Sequence, residues 1–324
     1  MRFLCSPFST LALLVASLSS LSNAQSGVGI RLKQIKNLVT FGDSYTDVGP
    51  GYSSNGGTPW PIYTAGYAGV KLFPYAKGGA TCSNELTYRP FPPLFGSQLP
   101  KYFEEKGSLD LQPEETIYTL WIGTNDVGSN ALLTGNPGTK ASLVAVTDCM
   151  VNWVKVLYES DVRNFIFQNM IPLETVPIYA PVSWPNKFWT AERNSTEWSV
   201  FMRELVLSGN ELTKLKLEAL APKLPGAHIA LFDSHSLFAD MYSNPGSYLN
   251  GTAPVNVTGA IDTCYYEVGA TSPRSCVKVE GDANRDSYLW YDELHPSEQA
   301  DRIVAREIAE VIEGKENRWT SWIS

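Results

Sequence analysis

Residues 36–49 read "KNLVTFGDSYTDVG", in which the apolar run Leu38-Val39-Thr40-Phe41 passes directly into Gly42-Asp43-Ser44. On its own Gly-Asp-Ser means a turn, because all three residues favour turns. The alternative is a nucleophilic hydroxyl held where a strand ends. Similar apolar or β-branched runs recur at 70–75, 116–122, 163–170 and 228–233. Helical periodicity separates the later ones. Leu143, Val146, Met150, Trp153, Val154 and Leu157 fall on one helical face, and Phe201, Leu205, Leu212, Leu215 and Ala219 on another. A last helix with Ile303, Val304, Ile308, Val311 and Ile312 follows Pro296, a residue suited to a first helical turn. Strands alternating with helices predict a mostly parallel sheet covered on both faces. In such a sheet functional groups lie beyond the carboxyl ends of the strands.

Chemistry appears at those places. Ser44 follows the first run, Ala76-Lys77-Gly78-Gly79-Ala80-Thr81 the second, and Gly123-Thr124-Asn125-Asp126 the third. Asp292-Glu293-Leu294-His295-Pro296 precedes the last helix. A serine hydroxyl is a weak nucleophile and needs a base that titrates near neutrality, which points to histidine. The chain has three: His228, His235 and His295. His228 opens the fifth run at the end away from the site, and His235 lies far from the first strand. His295 has Asp292 three residues earlier, able to fold back onto ring Nδ1. The Ser44 N–H, the Gly79 N–H and the Asn125 amide are the candidate oxyanion donors. Each motif alone has a commoner structural meaning: turn, punctuation or helix cap. Their joint order favours the catalytic reading. Asp43 and Asp47 beside Ser44 resemble a cation pair but fit local hydrogen bonding better. Trp290, Tyr291 and Trp121 are the candidate sugar-stacking residues, although buried aromatics more often fill core. Residues 181–190, with Trp184, Phe188 and Trp189, fit either a lid or a packed loop.

The stretches "FGDSYTD", "AKGGAT", "WIGTND" and "DELHP" are similar, in order and spacing, to the four sequence blocks of the SGNH, or GDSL, hydrolases. The wording around them, "GDSYTDVG", "NGGTPWP", "GGATCSN" and "SQLP", most resembles the fungal acetyl esterases of carbohydrate esterase family sixteen. The resemblance implies a three-layer α/β/α sandwich with a mostly parallel, flavodoxin-like five-stranded sheet. It also implies a Ser44–His295–Asp292 triad and an oxyanion hole of Ser44, Gly79 and Asn125. The reaction it implies is ester hydrolysis through an acyl-enzyme, with no metal or organic cofactor. The implied substrate is an acetylated oligosaccharide, such as an acetylated xylo-oligomer, or a small ester. A lipase or lysophospholipase is the alternative within the class. A catalytically silent carbohydrate-binding or cell-wall protein is the alternative outside it.

The 324 residues carry a formal charge of −8 and no long basic run, which argues against nucleic acid and anionic membrane surfaces as partners. Residues 1–24 read as a secretory signal: Arg2, the apolar Leu11-Ala12-Leu13-Leu14-Val15-Ala16 and the small-residue exit Ser22-Asn23-Ala24. The remainder, 25–324, reads as one domain of an extracellular, monomeric protein. Cys5 leaves with the signal, and four cysteines remain in an oxidising compartment. Cys264 and Cys276 lie close in a loop-like stretch and are expected to pair, leaving Cys82 with Cys149. Asn194, Asn250 and Asn256 open glycosylation sequons.

Overall fold

Residues Asn37–Gly42 form β1, a strand buried at every position. A continuous apolar run is what burial on both faces requires. Its side chains alternate between two cores, Leu38 entering one and Val39 and Phe41 the other. The computed structural model describes residues 29–49, 56–135 and 141–324, so the expected signal at 1–24 lies outside the described residues. β2 (Lys71–Pro74), β3 (Thr116–Trp121), β4 (Asn164–Gln168) and β5 (His228–Phe232) coincide with the expected runs to within a residue or two. They pair in parallel in the order β2-β1-β3-β4-β5. The order reverses beside β1, and that switch point is where a site is expected.

Four further strands, β6 (Asn256–Ala260), β7 (Asp262–Tyr265), β8 (Ser275–Lys278) and β9 (Tyr288–Trp290), make two ribbons, β6 with β9 and β7 with β8. The main sheet is also wider than the five strands expected. Thr320–Trp322, β10, adds an antiparallel sixth beside β5. Three residues are too few to carry an alternating pattern, so this edge leaves no trace in the sequence.

The helices are α1 (Trp60–Ala68), α2 (Leu99–Glu105), α3 (Thr124–Val127), α4 (Leu143–Tyr158), α5 (Ser195–Leu220), α6 (Ser234–Ser243), α7 (Asp282–Arg285) and α8 (Glu298–Ile312). Trp60 of α1 and Ile303, Val304 and Ile308 of α8 cover the face bearing Leu38, Ile117 and Ile166. Val146, Met150, Trp153, Val154 and Leu157 of α4 cover the opposite face with Phe41, Leu120 and Phe167. These are the three layers. α8 starts one step later than Pro296 implied. Ser297 is its N-cap and accepts from Ala300 N, so the proline precedes the helix. α5 buries a different face from the one expected: Met202, Val206, Gly209, Thr213 and Leu217 face inward, whereas Phe201 and Leu215 are 57% and 51% exposed. The reason is close approach, since a Cβ at Gly209 would lie 2.7 Å from Met170 Cε. Small residues therefore mark the buried stripe, and the apolar period marks its neighbour.

Both expected disulfides are present, Cys82–Cys149 and Cys264–Cys276. The first ties the segment after β2 to α4, and the second closes the β7–β8 ribbon. They span 67 and 12 residues. Loop-closure entropy then predicts losses of about 4 kcal/mol for Cys82→Ala with Cys149→Ala and about 3 kcal/mol for Cys264→Ala with Cys276→Ala. Urea unfolding of the two double variants measures this order, and a reversed order would contradict it.

Candidate active site

Gly42 ends β1 at φ 150°, where a Cβ would sit 2.3 Å from the Trp121 carbonyl oxygen, so only glycine fits. Gln98 holds it from the other side. Its Oε1 accepts from Gly42 N at 3.1 Å and its Nε2 donates to Gly42 O at 2.8 Å. The chain then turns sharply, the Asp43 carbonyl accepting from both Thr46 N and Asp47 N. Ser44 rides half-buried on this turn.

The loop after β9 brings an imidazole to Ser44. His295 Nε2 lies 2.9 Å from Ser44 Oγ, and Nδ1 lies 2.9 Å and 3.1 Å from the two Asp292 oxygens. Asp292 Oδ1 also accepts from Leu294 N and His295 N, each at 2.8 Å. This local turn is why an aspartate three residues upstream reaches the ring. With Nδ1–H donated to Asp292, Nε2 is free to accept the Ser44 proton. Tyr45 Oη donates to Leu294 O at 2.9 Å and ties the two loops together. Burial pushes the Asp292 carboxyl up, but the charge and hydrogen bond of His295, and then those of Lys187, outweigh it and hold it at about 2. Lys187 Nζ lies 2.7 Å from Asp292 Oδ2.

Gly79 has φ 74°, and a Cβ there would fall 2.5 Å from the Phe91 ring. Asp47 Oδ2 accepts from Gly78 N at 2.8 Å, so the Ser44 turn and the glycine segment are bonded to each other. The buried Asn125 amide donates one hydrogen to Ala80 O at 3.0 Å, which orients the group. Asn125 has a second amide hydrogen. Its neighbour Asp126 accepts from Cys82 N at 3.1 Å and from Thr87 Oγ1 at 2.7 Å. Asp43 Oδ1 accepts from Tyr45 N, while Oδ2 has no hydrogen-bond partner among the described residues. Burial drives the carboxyls of Asp43 and Asp126 both up to about 7.

A hydroxyl, an imidazole and a buried carboxylate in sequence, with amide donors alongside, can perform acyl transfer. A family model described as GDSL-like lipase/acylhydrolase matches residues 38–308. The chain belongs to that family. This GDSL-family chain is 30% identical to an acetylesterase of Hypocrea jecorina, over 89% of its own length and 91% of the relative's. It is 25% identical to an acetylesterase of Thermothelomyces thermophilus, over 86% and 89%. It is also 25% identical to a thermolabile hemolysin of Vibrio parahaemolyticus, over 86% and 64%. Membership and these likenesses make it a carboxylic ester hydrolase.

Other expected residues lie elsewhere in this GDSL-family fold. Trp121 and Trp290 are 2% and 0% exposed, and both rings pack against Phe238. Their indole N–H groups donate to Asn169 O and Val257 O. They are core residues with no ring face left for a sugar, because β3 and β9 turn those positions inward. Tyr291 is half-buried, its hydroxyl 3.4 Å from Asp262 Oδ2. His228 opens β5 at the far end of the sheet, and His235 opens α6, with β4 and β3 between β5 and β1. Asn194 and Asn250 are exposed, whereas Asn256 is half-buried in β6 with Oδ1 accepting from Thr258 N and Gly259 N. Residues 181–190 are a packed loop that brings Lys187 and Phe188 to the site. The Phe188 ring lies 5.6 Å from that of His295. Phe188 is one of the aromatics that mark this segment in the sequence, whereas Lys187 and Phe91 carry no sequence signal. Gln98 stood inside "SQLP" without a role.

No helix among the described residues is long and apolar enough to cross a membrane. The raised Asp43 carboxyl makes a thermodynamic prediction. An unfolded aspartate titrates at about 4, and the folded one at about 7. Its contribution to stability is full below the lower value and is lost as pH rises through the upper one. Asp43→Asn cannot ionise, so its stability relative to the parent is expected to improve steadily across that window. Unfolding both proteins in urea across the window checks this, and parallel stability curves would contradict it.

Proposed function

We propose that the chain is a secreted serine esterase that removes O-acetyl groups from carbohydrates, with acetylated xylo-oligosaccharides from hemicellulose as its substrate class. The observation that carries the reading is the continuous hydrogen-bonded path from Ser44 Oγ through His295 to Asp292. In this mechanism Ser44 Oγ attacks the ester carbonyl carbon as His295 Nε2 takes its proton. The carbonyl oxygen becomes an anion received by the N–H groups of Ser44 and Gly79 and by the Asn125 amide. The tetrahedral intermediate collapses, His295 protonates the departing sugar oxygen, and acetyl remains on Ser44. Water attacks that ester with His295 again as base, releasing acetate and restoring the hydroxyl. Asp292 stays ionised throughout and balances the imidazolium.

Two facts favour a short acyl group. The full-length relatives named above are acetylesterases. Phe91 lies against Gly79, and Phe188 against His295, so a ring stands beside each of these two groups of the proposed mechanism. The signal-like residues 1–24 and the two disulfides favour export to an oxidising compartment. Residues 25–324 then act as one catalytic domain.

The test is hydrolysis of p-nitrophenyl acetate and p-nitrophenyl palmitate, followed by acetate release from acetylated xylan fragments. The parent protein is expected to prefer acetate, and Ser44→Ala to lose at least about a thousandfold in kcat. Equal rates from parent and variant would leave a non-catalytic carbohydrate-binding protein, and a preference for palmitate would make it a lipase. Asn125→Ala is expected to lower kcat by roughly a hundredfold or more with little change in KM, since its contact strengthens as charge develops. An effect confined to KM would reassign Asn125 to ground-state binding.

A further inference from the structure

The loop at 181–190 is held rigidly by bonds outside the Ser44–His295–Asp292 path. Pro185 O accepts from Tyr266 N at 2.9 Å, and Thr190 O from Gly269 N at 2.8 Å. Arg193 Nη2 donates to Ser183 Oγ and to Trp184 O, each at 2.7 Å. Asn186 and Trp189 exchange main-chain hydrogen bonds of 3.0 Å, and Asn186 Oδ1 accepts from Phe188 N. The tip of this tight turn is Lys187-Phe188. Lys187 sends a side chain one-third exposed onto a carboxylate that is 3% exposed, with 2.7 Å between Nζ and Asp292 Oδ2. The ammonium also lies 5.0 Å from the centre of the Phe188 ring, which stands edge-on to His295.

We propose that Lys187 is a positioning residue for the base: its ammonium, set on Asp292 Oδ2 by the 181–190 turn, offsets the carboxylate charge that His295 feels and so extends activity towards lower pH. The proposal rests on the serine-esterase reading above. Asp292 favours the imidazolium needed in the transition state, and it equally favours the resting imidazolium, which cannot accept a proton. A cation on Oδ2 reduces the second effect while Oδ1 keeps its 2.9 Å hydrogen bond with Nδ1. Burial lowers the Lys187 ammonium's own pKa, but the charge and hydrogen bond of Asp292, then the charges of Glu293 and Asp262, outweigh it and raise it. Lys187 therefore stays charged wherever the histidine titrates. The other groups facing this cluster are Asp43 and Tyr45 from the β1 turn, Tyr291 beside Asp292, and, behind Asp43, Asp126 and Arg89. All are common to parent and variant, so a difference between the two reports the Lys187 charge acting on this cluster as a whole.

The experiment compares the parent with Lys187→Met, which keeps the stem and removes the charge, and with Lys187→Arg, which keeps the charge. The acid limb of kcat/KM for p-nitrophenyl acetate is expected to move up by about half to one pH unit in Lys187→Met, and Lys187→Arg to restore most of it. A merely structural lysine would change rate or melting temperature without moving the limb. The His295 ring is followed independently by NMR titration, its signal identified by its loss in His295→Asn. It is expected to move up by the same amount in Lys187→Met, in a Ser44→Ala background as well. An unmoved limb and titration, or an equal displacement in Lys187→Arg, overturns the proposal. If the parent fails to hydrolyse the ester, the esterase reading falls, and the NMR titration still decides the role of Lys187.

Discussion

A buried negative charge organises this site. Asp292 is 2% exposed, and an isolated carboxylate in such a place would take up a proton. It stays ionised because the His295 ring, two main-chain N–H groups and the Lys187 ammonium converge on it. Each of those donors fixes a piece of chain. The N–H groups fold residues 292–295 into one compact turn. The ring fixes the nitrogen that faces Ser44, and Lys187 links the already braced 181–190 turn to the same carboxylate. The next residue, Glu293, reaches the other way and accepts from Cys264 N at 2.7 Å, joining the loop to the disulfide-closed ribbon. Solvating one anion thus ties three segments together.

The serine side obeys the same accounting of hydrogen-bond partners. Its loops leave the sheet at β1, β2 and β3, and side chains bridge them where the ladder stops. Gln98 satisfies both main-chain groups of Gly42, Asp47 takes Gly78 N, and Asp126 takes Cys82 N. Asp43 and Asp47, which beside a serine look like metal ligands, are used as acceptors within these loops. The Cys82–Cys149 bond then fastens the same segment to α4, and α4 is buried against the sheet. Hydroxyl, Gly79 and Asn125 are thereby positioned by packing and backbone bonding before any substrate arrives.

The parallel sheet was legible because each buried strand is a continuous apolar run followed by a glycine or polar stop. The hydrogen-bonded path Ser44–His295–Asp292 was legible because its polar groups stand immediately beyond those runs or within one turn of each other. What escaped the sequence depends on tertiary approach. The inward face of α5 is marked by Gly209 and Thr213, since backbone closeness to Met170 selects small residues over apolar ones. Trp290 stands two residues before Asp292 yet points into the core, because it is the last residue of β9, whereas Asp292 lies beyond the strand in the 292–295 turn. Lys187 is 105 positions from Asp292, and nothing local to "PNKFW" says which carboxylate it meets.

Asp292 also shows how one small region keeps carboxyls in different charge states. Asp43 and Asp126 are as deeply buried as Asp292 but are pushed up to about 7, whereas Asp292 is held at about 2. Burial is the largest influence on all three, so burial cannot separate them. Their partners do. Among the described residues, Asp126 receives a main-chain N–H and a neutral hydroxyl, and Asp43 a single main-chain N–H with one oxygen unpartnered. Only Asp292 of the three is bonded to the imidazole and to an ammonium. The difference matches the work required. In the proposed reaction a carboxylate balancing a transient imidazolium must be charged throughout, whereas ionised carboxylates in the same region would oppose the charge developing on an oxyanion. Raising Asp43 and Asp126 towards neutrality weakens that opposition.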